Sequence, residues 1–184
     1  MSAEDDLTLD DLDPELLALL GAGAPPAAPP GSLRAALLDA VSSPDPRVAL
    51  AGFAGRLERL FDLAPAAVDA LLSAVARPAE WEPYVEGVGL LHFEPGPRVA
   101  SGAARVDAGL VRFRAGLAYP RHRHVGDEVM LILAGGLVED VSQRRAVAGD
   151  LLHMGPGTEH GFRILPGAEC VAAVLLHGGL PEFV

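Results

Sequence analysis

The residues best suited to chemistry stand together in the stretch His122-Arg-His124-Val-Gly-Asp-Glu128, with a fourth candidate at His160. His122 and His124 are two positions apart, so on a strand both imidazoles point to one face and grip a single ion together. Glu128 follows four positions after His124, and an extended chain running through Gly126 would keep its carboxylate in the same parity; Gly126 and Asp127 supply the flexibility for a bend. One strand cannot surround an ion. A second run beginning at Gly149-Asp150 leads through the tight Gly155-Pro156-Gly157 turn to His160, which completes the set. Three imidazoles and one carboxylate suit one divalent metal ion, and the ligand set alone leaves it open among Zn, Fe, Mn and Ni, Zn being the expectation that goes with a regulatory role. Four tetrahedral ligands would close such a site and make it structural or sensory, whereas an octahedral ion would leave two positions for substrate and dioxygen.

Around these ligands, Ala118, Pro120, Met130, Ile132 and Phe162 share the inward phase, which predicts an apolar lining with no inward Arg, Lys or Tyr to hold a substrate carboxylate. A regulatory or binding role is therefore expected ahead of catalysis. His92, His153 and His177 fall outside the spacing and are expected to be ordinary polar residues, although His153 is near enough to His160 in sequence to support it from behind. Cys170 is the single cysteine, so an intramolecular disulfide and any Cys-based zinc cluster are excluded, a buried inert thiol is expected, and a cytoplasmic location fits.

The elements that must position these residues are legible from the apolar pattern. Short apolar runs at Leu110–Phe113, Val129–Leu133, Leu137–Val141, Asp150–Met154 and Cys170–Leu176, separated by Gly-rich turns, predict a mainly β barrel or jelly roll. The first 76 residues are rich in Ala and Leu and carry helix-start signals instead. Asp13-Pro14 opens a helix to about Leu20, residues 22–31 read as a Pro- and Ala-rich linker, and Ser32 caps a helix carrying Leu33, Leu37 and Val41. Asp45-Pro46 starts a third helix with an apolar stripe of Leu50, Phe53, Leu57 and Leu60. Pro65 opens a fourth with Val68, Leu71, Leu72 and Val75. The composition changes near Arg77 to Pro83, so a helical segment is expected over 1–80 and a metal-binding domain over 81–184.

Gly116, His122, His124, Glu128 and Gly135 fit the pattern G-x5-H-x-H-x3-E-x6-G without a gap, and Gly149, Gly157 and His160 fit G-x5-P-x-G-x2-H-x3-N, with the proline displaced to Pro156 and Ile164 in place of the asparagine. On these motifs the chain resembles the cupin superfamily over roughly residues 88 to 180. The resemblance implies a double-stranded β-helix barrel with a metal held inside its mouth by His122, His124, Glu128 and His160. A helical front joined to such a barrel is similar to the ChrR-type anti-sigma factors, whose helical domain sequesters a sigma factor; the run from Ala24 to Leu38 resembles the junction in such proteins. No His or Cys precedes His92, so the His-x3-Cys-x2-Cys zinc cluster usual in those helical domains has no counterpart.

Charge bears on partners. The chain of 184 residues has a formal charge of −11, a field that repels phosphate backbones and argues against direct nucleic-acid binding. Residues 1–80 hold thirteen acids and five arginines, a net of −8, leaving −3 for the rest, so the front would suit a sigma factor or another basic protein. The charge-free stretch Leu16 to Leu33 holds four prolines, so a membrane span is not expected there, and with an acidic start no targeting segment is expected. The expectations are thus a metal-binding regulatory protein, anti-sigma factor or sensor of a small molecule or oxidant held in the barrel; the alternative is a metal-dependent dioxygenase or isomerase. A homodimer through sheet edges is also foreseen.

Overall fold

The computed structural model describes residues 30–42, 45–101 and 105–184. The helix expected over Asp13–Leu20 and nearly all of the 22–31 linker lie outside the described residues. Eleven strands are formed among those described: β1 Glu82–Val85, β2 Val88–His92, β3 Val106–Phe113, β4 Ala118–Arg123, β5 Glu128–Ala134, β6 Gly136–Glu139, β7 Arg145–Val147, β8 Leu151–Met154, β9 Glu159–Ile164, β10 Cys170–His177 and β11 Glu182–Phe183. They make two sheets, β1-β2-β3-β10-β5-β8 and β11-β4-β9-β6-β7, with antiparallel pairings throughout the described residues. This is the jelly-roll barrel that the evenly spaced apolar runs predict.

The two central strands of the larger sheet explain why their sequences read as unbroken apolar runs. Ile132 of β5 and Ala172 and Val174 of β10 face the barrel interior, while Leu131, Leu133, Ala173 and Leu175 face outward into a second core built with the helices. A strand buried on both faces has no solvent side to alternate with. The interior is closed by Phe113, Leu137, Leu152, Phe162 and Ile164, the last with no exposed surface.

Helices α1 Gly31–Ser42, α2 Pro46–Ala49, α3 Ala54–Phe61 and α4 Pro65–Val75 precede the strands, and a single-turn α5, Pro97–Ala100, lies between β2 and β3. The stripe expected on one helix after Asp45-Pro46 is split instead into α2, a 3-10 turn over Ala51–Phe53 and α3. Gly52 and Gly55 lie in this stretch and weaken a continuous α-helix. The apolar residues still turn inward: Leu57 and Phe61 of α3 are wholly buried, each contributing roughly 1.5–3 kcal/mol of burial. On α4, Val68, Leu71 and Leu72 are buried as its stripe requires. Helix α3 ends at Asp62 in the left-handed conformation (φ 55°), and its carboxylate accepts from the Arg98 backbone N–H at 2.9 Å and pairs with the Arg98 guanidinium. Gly96 donates its N–H to Phe61 O at 2.7 Å, and a Cβ at that position would stand 1.9 Å from Asp62 O.

Residues Ala40–Val184 form one compact unit. The composition change near residues 77–83 marks the passage from helix to strand, while α3 and α4 share one core with the larger sheet. Arg56 of α3 ties the two layers further by donating from its guanidinium to Gly149 O at 2.7 Å. No helix among the described residues is long and apolar enough to cross a membrane.

Candidate metal centre

His122 of β4 and His160 of β9 are directly paired across the smaller sheet, with ring centroids 4.6 Å apart. His124 lies just past the end of β4, its ring 4.9 Å from that of His122 and 5.0 Å from that of His160. Each of the three offers a ring nitrogen within 4.8 Å of those of the other two, and all three side chains are buried. Glu128, the first residue of β5, reaches the cluster from the opposite sheet, with Oε2 3.1 Å from His124 Nδ1. The imidazoles form the tight triad and Glu128 touches it at His124.

Glu128 faces the interior for a different reason from continued strand parity. The chain leaves the smaller sheet after Arg123 and enters the larger one at Glu128, so the ligands stand on two inner faces that look at each other. Gly126 makes the crossing where a Cβ would stand 1.8 Å from His177 O. Backbone bonds fix His124 in the crossing: its N–H donates to Thr158 O at 3.0 Å, and Gly157 N–H donates to His124 O at 2.8 Å.

The hydrogen bonds of the rings show which nitrogens are spoken for. His122 Nδ1 lies 3.0 Å from Pro120 O and His160 Nδ1 3.1 Å from Glu139 Oε1, each a contact in which Nδ1–H donates to an oxygen. Nε2 of His160 and both nitrogens of His124 are buried without a hydrogen-bond partner, since the His124–Glu128 contact is not aligned as a hydrogen bond. Buried polar atoms are almost always satisfied, so His160 Nε2 and a nitrogen of His124, with a ring nitrogen of His122 within 4.8 Å of both, are groups that one divalent ion would satisfy. Burial is the main cause that draws the His122 pKa below its ordinary 6.5, with neighbouring His160 and His124 acting the same way and the Pro120 bond opposing. His122 is thereby held in the neutral, ligating form.

A cavity of about 70 Å³ adjoins His122 and Glu128, lined chiefly by apolar residues such as Val88, Phe113, Met130 and Phe162. That volume is on the order of five water-sized spheres. The strand parity that places Met130, Ile132 and Phe162 inward holds, but Ala118 and Pro120 are exposed and Tyr119 is buried instead. The cause is an irregularity in the β4–β9 register between Tyr119 and His122, which shifts the phase by one residue. An inward tyrosine is therefore present: the Tyr119 ring stacks on Phe162 at 4.9 Å, and burial raises its phenol above the ordinary range. Pro120, which has no N–H for the ladder, is the sequence signal that marks the shift.

Of the other singled-out residues, His153 is exposed and pairs with Asp127 at 3.2 Å, so it does not support His160. Its strand, β8, turns it outward between the buried Leu152 and Met154. The residue that does stand behind His160 is Glu139, which no motif spacing flagged. His92 lies on the cavity wall, 3.6 Å from Asp107. Cys170 is wholly buried and its thiol is pushed up to about 11 by that burial, the inert state expected. The Arg112 guanidinium lies 4.7 Å over the Trp81 ring.

No family model and no curated protein matches the chain. Among solved structures it is similar to an RmlC-like cupin protein from Ralstonia eutropha JMP134 (21% identity, TM-score 0.47), covering 53% of this chain and 62% of that one. It is also similar to the complex of Rhodobacter sphaeroides SigE with the anti-sigma ChrR (22% identity, TM-score 0.46), covering 88% of this chain and 75% of that one. A third is an acetylacetone dioxygenase from Acinetobacter johnsonii (16% identity, TM-score 0.47; 58% of this chain and 73% of that one). The chain thus spans less than two thirds of the length of the first of these.

Proposed function

We propose that His122, His124, Glu128 and His160 hold one divalent metal ion, Zn first, and that the protein is a metal-dependent regulator of the ChrR-like type. The observation that carries the metal reading is the meeting of three buried imidazoles with ring nitrogens within 4.8 Å of one another, those of His124 and His160 including unpartnered ones. The bound ion would supply a fixed positive centre for an oxygen or nitrogen donor entering the cavity. What the chain itself contributes is a buried set of three imidazoles and one carboxylate.

The regulatory part is supported by the placement of β5. Glu128 and Met130 line the cavity and Ile132 lies in the barrel interior, while Leu131 and Leu133 on the reverse side pack in the core that holds Leu57, Phe61 and Leu72 of the helices. A shift of Glu128 on the inside is felt by the helices outside through a single strand. The acidic front, residues 1–80, matches a basic protein such as a sigma factor, and we propose that segment as the partner-binding module.

A second reading, a metal-dependent enzyme on a small molecule, is favoured by one observation: the cavity opens onto His122 and Glu128 and is bordered by Tyr84 and Tyr119. Elemental analysis of the full chain and of His122→Ala tests the metal, with about one ion per chain in the first and little in the second; equal content in both overturns the ligand set. Purification from the native host then separates the roles. A stoichiometric sigma factor, released by chelation, supports the regulator. Oxygen uptake by iron-loaded protein with no such partner supports the enzyme.

A further inference from the structure

The three imidazoles are not held alike. His122 is steadied from within its own strand by the Pro120 carbonyl, and His124 by its backbone bonds in the crossing between sheets. His160 has its outer nitrogen hydrogen-bonded to a side-chain carboxylate outside the ligand set, Glu139 Oε1 at 3.1 Å, with Glu139 itself only 15% exposed. The other oxygen of Glu139 accepts from Ser142 Oγ at 2.5 Å, which fixes the carboxylate in the β6–β7 turn. The following residue, Asp140, accepts from the Gly161 N–H at 2.9 Å. Two successive carboxylates of β6 and its turn thus hold two successive residues of β9, the second of which is glycine where a Cβ would stand 2.9 Å from Asp140 Oδ2.

We propose that Glu139 is a positioning residue that selects the tautomer of His160. A carboxylate offers only lone pairs, so at 3.1 Å it requires the proton on Nδ1 and leaves the Nε2 lone pair aimed into the cluster. Nε2 is the nitrogen without a partner. Its charge also makes the imidazole a stronger donor to an ion, an effect that costs 10–100-fold in affinity when such a partner is lost. The inference on affinity rests on the metal reading; the inference on tautomer does not.

The test uses the full chain with Glu139→Ala and Glu139→Gln. Long-range ¹H–¹⁵N spectra of the metal-free proteins should show His160 as the Nδ1–H tautomer in wild type and Glu139→Gln, whose amide oxygen still accepts, and a mixed or reversed tautomer in Glu139→Ala. Competition for Zn²⁺ against a chelator should show about a 10–100-fold loss for Glu139→Ala and a smaller one for Glu139→Gln. A wild-type tautomer and wild-type Zn²⁺ affinity in Glu139→Ala would overturn the proposal. A wild-type chain that binds no Zn²⁺ would sink the metal reading, and the tautomer would still decide the role of Glu139. Should Glu139→Ala fail to fold, a metal-free wild type whose His160 is the Nε2–H tautomer would overturn the proposal.

Discussion

Replacing His124 by Leu should have opposite effects on the metal-free and metal-bound protein. His124 is buried, and both ring nitrogens lack hydrogen-bond partners. A neutral imidazole holds one donor and one acceptor, and leaving each unsatisfied costs about 1–3 kcal/mol, so roughly 2–6 kcal/mol of the metal-free fold is forfeited at this residue. Leu is of similar size; imperfect repacking takes back up to about 1.5 kcal/mol. Glu128 loses its nearest polar neighbour at 3.1 Å, which takes back about 1 kcal/mol more. The net is a metal-free variant that equals or exceeds wild type by roughly 0–5 kcal/mol, where most buried substitutions destabilise. With Zn²⁺ at about 100 times its dissociation constant, wild type gains about 2.7 kcal/mol and the variant should gain little. Urea unfolding followed by the fluorescence of Trp81, the single and buried tryptophan, measures both states, with chelator and with Zn²⁺. A metal-free variant weaker than wild type by more than about 1 kcal/mol, or one with an undiminished response to Zn²⁺, would refute the reasoning.

Three further outcomes are expected. Burial lowers the His122 pKa below 6.5, so the unfolded chain takes up a proton that the folded one refuses; the stability of the metal-free protein is present above pH 6.5 and lost as pH falls below it, more steeply than in His122→Gln, and parallel slopes in urea titrations would contradict this. Gly126→Ala forces a Cβ to within 1.8 Å of His177 O, so the crossing between the sheets must move, and both the melting temperature and Zn²⁺ affinity should fall; an unchanged affinity would show that the crossing does not set the ligand geometry. Leu57→Ala, in the core between helix and sheet, should cost about 2–5 kcal/mol by urea titration while leaving metal content at wild-type level; a lost metal would tie the centre to the helices more tightly than the packing indicates.

Strand identity was legible where burial leaves a pattern in sequence. The runs at Val129–Leu133 and Cys170–Leu176 fall within β5 and β10 because strands buried on both faces are apolar at every position. Helix α4 was legible because Pro65 sets its start and Val68, Leu71 and Leu72 share one face. The helix after Asp45-Pro46 was legible as apolar but not as broken, since a stripe at the same spacing survives when one turn changes to 3-10. Short strands such as β7 and β11, with three and two residues, carry too little periodicity to be read.

At the site, residue types and spacing marked the side chains that meet: two histidines on one strand, a carboxylate four residues on and a histidine after a glycine turn are buried together in one barrel. Local chemistry fixes only that His122 and His124 share a face, because side-chain alternation acts within a few positions. Tertiary structure decided the rest. It puts Tyr119 rather than Ala118 and Pro120 inside, because a register irregularity in β4 depends on how that strand pairs with β9. It brings Glu128 in from the opposite sheet rather than along the same strand, and sets Glu139 of β6 behind His160 of β9, twenty-one residues apart in sequence. Those contacts arise from which strands become neighbours, a long-range pairing that no local spacing encodes.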